Sequence, residues 1–190
     1  MEIRLTYFAV SVKSFLMKNE IFVPTLSQKA DDIIDEAIHI VKILGIETTC
    51  IKIPAIPEGF KAMEMLNDAT EIHFSATEIY MPIQAIIAAQ CGAMYISLYI
   101  NQIDKMGFNG VELAKQIQEI LDRHNMETEV ICEDFKNVQQ VVDVYKFGIE
   151  TISATPAILK TFIESESINP VFKNLIGEFT GNGKTMLNFE

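Results

Sequence analysis

From Glu20 onward the chain alternates short β-branched runs with longer amphipathic segments, and the hydrophobic period switches between two and about 3.6 at each junction. That switching is the mark of βα repetition. The strand candidates are EIFVPTL (20–26), TTCIKIP (48–54), TEIHFSA (70–76), MYISLYI (94–100), TEVICED (128–134) and ETISA (150–154), with IRLTYF (3–8) ahead of them. Between them Ile33, Ile34, Ala37, Ile38 and Val41 recur at helical spacing and stop before Gly45, which reads as a left-handed C-terminal cap. Similar stripes run through Ile83, Ile86 and Ile87, and through Val111, Leu113, Ile117, Ile120 and Leu121. Asn137 with Gln140 three residues later predicts a capping box, and Thr155-Pro156 and Asn169-Pro170 put proline at the first helical position.

Successive strand candidates begin roughly 22–34 residues apart, which fits one strand plus one crossover helix and predicts a parallel sheet. Spacing alone leaves a closed barrel and an open sheet both possible. No strand is followed by a GxGxxG or GxxxxGK[ST] turn, and FTGNGKT (179–185) has no strand before it, which argues against a nucleotide-binding open sheet. The 190 residues, 49% of them apolar, suit one domain over 1–190, with a glycine-containing tail (180–190) expected to be flexible.

Alternation decides which side chains meet inside. Ile51 and Ile53 share one face of their strand, while Cys50, Lys52 and Pro54 share the other. The same parity turns His73 and Ser75, then Tyr95, Ser97 and Tyr99, then Thr151 and Ser153 inward, with Thr77 and Asn101 just past their strands. The inward set grows more polar toward the carboxyl ends, through Lys52, Ser75, Thr77, Tyr99, Asn101, Asp134 and Ser153. In an α/β barrel that rim is where active sites are built.

Lys52 is the sharpest of these. Burial penalises an ammonium, which frees a neutral amine to attack a carbonyl carbon and form an imine. A lysine at a strand end also snorkels to solvent, and an inward Tyr99 is equally an ordinary core residue with a wet tip. His73, deeper in its strand, reads as a satisfied core histidine.

The rest of the composition narrows the partners. A net charge of −11 repels nucleic acid and anionic membrane, and the cluster Asp31, Asp32, Asp35, Glu36 reads as a solvated helix face. No apolar run is long enough for a spanning helix, and Glu2 and Lys13 spoil the first 18 residues as a secretion signal. Cys50, Cys91 and Cys132 have neither disulfide-framework nor zinc spacing, so a cytoplasmic protein is expected.

IKIPAIPEGFKAMEML (51–66), SATEIYMPIQA (75–85), GAMYISLYINQID (92–104) and EDFKNVQQV (133–141) together resemble the transaldolase and fructose-6-phosphate aldolase family, in order and spacing, from about Ile21 to Phe179. The resemblance implies a TIM-type (β/α) barrel that makes or breaks a carbon–carbon bond through a lysine imine, with no metal or cofactor. On that basis Lys52 is the imine lysine, and Thr77 and Tyr99 are the accompanying catalytic residues. Asn101, with Ser75, Ser97 and Asp134, would bind a small sugar or hydroxyketone.

The sequence departs from the family pattern in several places. Thr6 stands where the first strand ends in Asp, no Thr-Asn-Pro motif is found, and Pro24 falls where a Glu or Gln is expected. The barrel is therefore expected to be one βα unit short of eight. Gln102 replaces an arginine, and Glu133-Asp134-Phe135 replaces Ala-Ser-Phe, so a phosphorylated substrate is disfavoured by like charge. Asp134, if aimed at Lys52, would hold it as ammonium. An incomplete barrel leaves an edge that invites association, and the resemblance implies a homo-oligomer assembled through a C-terminal helix at 169–179. A catalytically degenerate scaffold or binding module is the alternative.

Overall fold

The computed structural model describes residues 20–163. The predictions over 3–8, at Thr6, over 169–179 and over 180–190 lie outside them. The chain divides after Thr155 into two compact units, and the sheet belongs to the first.

Its elements alternate as predicted. Strand β1 (Ile21–Pro24) leads into helix α1 (Ala30–Leu44), and a 3-10 turn (Ile46–Thr48) precedes β2 (Thr49–Pro54). There follow α2 (Pro57–Ala69), β3 (His73–Thr77), α3 (Pro82–Gln90), β4 (Tyr95–Tyr99) and a short α4 (Ile100–Lys105) that periodicity did not predict. Helix α5 (Gly110–Arg123), β5 (Glu129–Glu133), α6 (Val138–Tyr145) and β6 (Thr151–Ser153) complete the unit. The six strands are all parallel and pair in chain order, β1-β2-β3-β4-β5-β6. Among the described residues these six βα-linked strands form part of a TIM-type barrel. In the second unit, α7 (Pro156–Ile163) begins at the predicted proline.

Parallel pairing makes residues at the same level share a face, and the register extends the parity argument across the whole sheet. Ile51, Phe74, Ala76, Ile96, Leu98, Val130, Cys132 and Ile152 are buried on the helix side. The helices meet them with Ile33, Ala37 and Ile40 of α1, Ala62, Met63 and Leu66 of α2, and Leu113, Ala114, Ile117 and Leu121 of α5. Ile33 and Ala37 of α1 and Leu113, Ile117 and Leu121 of α5 belong to the predicted stripes, whereas Ile34, Ile38 and Val41 are only half-buried beside Ile40, and α3 buries Ala85 and Ala88 while Ile83 is exposed. Each fully buried Ile or Leu contributes about 1.5–3 kcal/mol of burial free energy.

On the opposite face, Cys50, Tyr95 and Ile131 form a buried cluster with Phe22, whose ring meets Tyr95 edge-on at 5.4 Å. Below it, the Glu20 carboxylate joins His73 Nδ1 at 2.5 Å and accepts the Tyr95 hydroxyl at 3.0 Å. His73 is thus a partnered histidine at the amino end of the sheet.

Two glycines shape the turns that enter and leave β2, Gly45 at its amino end and Gly59 at its carboxyl end. Gly45 caps α1 at φ 95°, with its N–H donating to Val41, but its ψ of 136° lies outside the left-handed helical region expected from sequence. Gly59 sits in the first turn of α2, where a Cβ would stand 1.9 Å from the Pro54 carbonyl oxygen. Only glycine lets that helix start press on the end of β2.

Local caps follow the sequence closely. Asn137 accepts from the Gln140 N–H at 3.0 Å, although the Gln140 side chain accepts from Lys136 N–H and not from Asn137. Asp31, Asp32 and Asp35 are exposed as expected, whereas Glu36 accepts the Leu26 and Ser27 N–H groups and ties down the β1–α1 loop. Among the described residues, no helix is long and apolar enough to cross a membrane.

Candidate active site

Lys52 lies near the carboxyl end of β2, level with Pro24 of β1 and Ser75 of β3. Its side chain turns inward, as parity required, and the residue is only 8% exposed. The ammonium reaches across the sheet's concave side, donating to the Tyr99 hydroxyl of β4 at 3.2 Å and to Glu133 Oε1 of β5 at 2.5 Å. The rings of Tyr99 and Phe22 lie 5.1 and 5.8 Å from Nζ, within the range of cation–π attraction.

The carboxylate at the lysine is therefore Glu133 and not Asp134. Register explains the difference. Tyr95, Ser97 and Tyr99 pair with Glu129, Ile131 and Glu133, so the inward residue at the end of β5 is Glu133. Asp134 falls one residue past the strand, exposed, at φ 53°. There it accepts from the Asn101 amide side chain at 3.4 Å, and its carbonyl accepts the Asn101 N–H. Asn101 belongs to the first turn of α4, not to the end of a strand.

Burial opposes the charge on Lys52, yet the Glu133 carboxylate and the Tyr99 hydroxyl outweigh it, so the amine titrates above the ordinary lysine value. Desolvation alone would move it the other way, which is what burial of Lys52 predicts from sequence; the alternative, a carboxylate that holds the ammonium, is what occurs, with Glu133 in the place expected for Asp134. Deeper in the barrel, burial and then Glu20 push the Cys50 thiol well up, so Cys50 is no ready nucleophile.

The remaining predicted residues form a hydroxyl layer. Ser75 and Ser97 are wholly buried and hydrogen-bonded to each other at 2.9 Å, and Thr77 is 6% exposed at the end of β3. Thr77 is followed by Glu78 at φ 57°, a left-handed conformation unfavourable for a non-glycine residue. The Tyr80 hydroxyl donates to Glu78 and accepts from Gln102 Nε2 at 2.9 Å. Burial and the Glu78 carboxylate push Tyr80 up to about 12. Glu133, Glu78 and Tyr80 were not singled out from sequence. Counting parity back from the outward Val130 and Cys132 would have found Glu133, whereas the Glu78 turn has no local signature.

A cleft of about 260 Å³ lies between Tyr80, Pro82, Phe108 and α5, but Lys52 does not line it. The titratable groups able to carry out chemistry converge on the concave face of the sheet.

The model of the transaldolase/fructose-6-phosphate aldolase family matches residues 19–185. The chain belongs to this family. Among its relatives is a protein named probable transaldolase from Paracoccus denitrificans, 31% identical over 145 residues, which cover 76% of this chain and 65% of the relative. Another, a probable transaldolase from Bartonella tribocorum, is 30% identical over 148 residues, covering 78% of this chain and 67% of the relative. The chain thus spans about two thirds of the length of these transaldolase-family relatives. Among solved structures, a flavocytochrome b2 mutant with pyruvate bound superposes with a TM-score of 0.55 at 15% identity, over 70% of this chain and 41% of that one. A mandelate oxidase variant with benzoylformic acid does so at 0.50 and 13%, over 74% and 56%. At these identities the likeness is one of fold alone.

Proposed function

We propose that this chain is a transaldolase-type aldolase that forms an imine between Lys52 and a small, unphosphorylated ketose or hydroxyketone. The observation that supports it most is a nearly buried lysine at the carboxyl end of a strand, 3.2 Å from a tyrosine hydroxyl, in a chain of this family. A neutral amine there attacks a ketone carbon, and loss of water gives an imine that withdraws electrons from the adjacent carbon–carbon bond. Tyr99 is within reach to move protons at nitrogen. Thr77, Ser75, Ser97, Asn101 and Asp134 offer hydroxyl, amide and carboxylate partners for substrate hydroxyls. Glu133, Asp134 and Glu78 at the strand ends, with Gln102 beside them, supply carboxylates where a phosphoryl group needs cations, which is why the substrate is read as unphosphorylated.

Trapping tests this. Borohydride added with dihydroxyacetone is expected to leave a reduced adduct on the Lys52 peptide, increasing as pH rises and the ammonium deprotonates. No adduct at saturating ketone up to about pH 10 overturns the reading. The 2.5 Å ion pair with Glu133 favours a second reading, in which Lys52 stays charged and the chain serves as a scaffold or binding module. On that reading Lys52→Ala keeps the assembly and matches wild type in every functional phenotype, the stability lent by the ion pair aside.

A further inference from the structure

We propose that Glu133 is the acid–base partner of Lys52, taking the ammonium proton before attack and giving it back to the hydroxyl that leaves as water. The inference rests on the reading of Lys52 as the imine amine, and extends it to the group that makes the amine available.

The basis is what surrounds Nζ. From β5 the Glu133 carboxylate approaches to 2.5 Å, and its side chain is 14% exposed. From β4 comes the Tyr99 hydroxyl at 3.2 Å, and the ring centroids of Phe22 and Tyr99 lie 5.8 and 5.1 Å from Nζ. Cys50, one level down on the same strand, is a buried thiol. An ammonium has no lone pair, so attack must wait until a proton leaves. In a site this enclosed the proton goes to a group already in contact, and a carboxylate is a far better acceptor than a phenol. The contact that holds Lys52 charged is therefore also the path by which it is discharged.

The protons balance without a further reactant. Glu133 takes one proton from Lys52, leaving an amine and a carboxylic acid. The amine nitrogen bonds to the ketone carbon, and the carbonyl oxygen gains a proton from that nitrogen through the Tyr99 hydroxyl, giving a neutral carbinolamine. The Glu133 acid then protonates the carbinolamine hydroxyl, which departs as water while the nitrogen lone pair forms the C=N bond. The products are a protonated imine, one water and the Glu133 carboxylate beside the new cation. Ammonium and ketone have become iminium and water, with charge conserved.

Glu133→Gln separates this role from a purely restraining one, because the two predict opposite signs. A residue that only clamps the ammonium slows attack, so its removal lowers the Lys52 titration point and speeds trapping at pH 7. A proton carrier leaves dehydration without its acid, and trapping slows. Borohydride trapping with dihydroxyacetone is measured from pH 6 to 10 on wild type, Glu133→Gln and Glu133→Asp, each checked for native circular dichroism. The expected result is an about 100-fold slower Glu133→Gln across the range. Glu133→Asp keeps the charge but draws the carboxylate back by one methylene, and an about tenfold loss is expected. Glu133→Gln trapping at the wild-type rate or faster overturns the proposal and leaves the Lys52 reading standing. If Glu133→Gln does not fold, Glu133→Asp decides, and wild-type trapping by it overturns the proposal. Wild type that never traps overturns the Lys52 reading and this proposal with it.

Discussion

Replacing Lys52 with Met removes the cation paired with Glu133 and leaves a carboxylate 14% exposed against the sheet interior. At 2.5 Å and an effective dielectric of about 20, Coulomb's law gives about 7 kcal/mol of attraction for the pair. Desolvation costs several kcal/mol for each ion, so the pair taken whole is near neutral. The singles are not. Lys52→Met is expected to destabilise by about 3 kcal/mol, whereas Lys52→Met with Glu133→Leu returns to within about 1 kcal/mol of wild type. Urea unfolding at pH 7 of wild type, both singles and the double measures the coupling directly. The pair also sets an alkaline signature. Because Lys52 titrates higher folded than its ordinary 10.5, the stability it lends is fully present below about pH 10.5 and is lost as pH climbs through the folded value. Wild type should therefore lose stability at the alkaline end through a component that Lys52→Met lacks. A Lys52→Met variant within about 1 kcal/mol of wild type at pH 7 would refute the picture of an enclosed pair, since only a solvated ion pair is worth so little.

Gly59→Ala normally stabilises a helix by about 1 kcal/mol, but here the new Cβ would meet the Pro54 carbonyl oxygen at 1.9 Å. A loss of about 1–3 kcal/mol in urea unfolding is expected, with slower trapping at Lys52 as the end of β2 shifts, and a stabilised variant would contradict the contact. Tyr95→Phe deprives Glu20 of the hydroxyl it accepts at 3.0 Å and is expected to cost about 1–3 kcal/mol by the same assay. No change would mean that water replaces the donor.

Much of the fold was legible because each strand carries its own evidence. The β-branched runs around Ile51, Phe74, Ile96, Val130 and Ile152 all became parallel strands with those residues buried against helices. The site was half legible. Lys52, Ser75, Ser97 and Tyr99 lie on well-alternating strands, and parity alone turned them inward. Asp134 failed for a local reason: TEVICED reads as a strand to its last letter, but the strand stops at Glu133 and the backbone turns to positive φ. A one-residue slip moves a side chain to the other face, so the acid at the lysine changed identity. Asn101 shifted because the chain bends directly from β4 into α4, which six residues of weak periodicity do not announce.

The sequence by itself determined that a lysine stands on the inner face of a βα sheet among hydroxyl side chains, since that follows from alternation within single segments. Only the tertiary structure decided what the lysine touches. Glu133 is 81 positions away from Lys52 and three strands over, and the pairing of β2 through β5 brings the two to 2.5 Å. No local pattern encodes that distance. It changes the chemistry of Lys52 from an amine set free by burial to an ammonium held by a carboxylate, because a partner in contact outweighs desolvation.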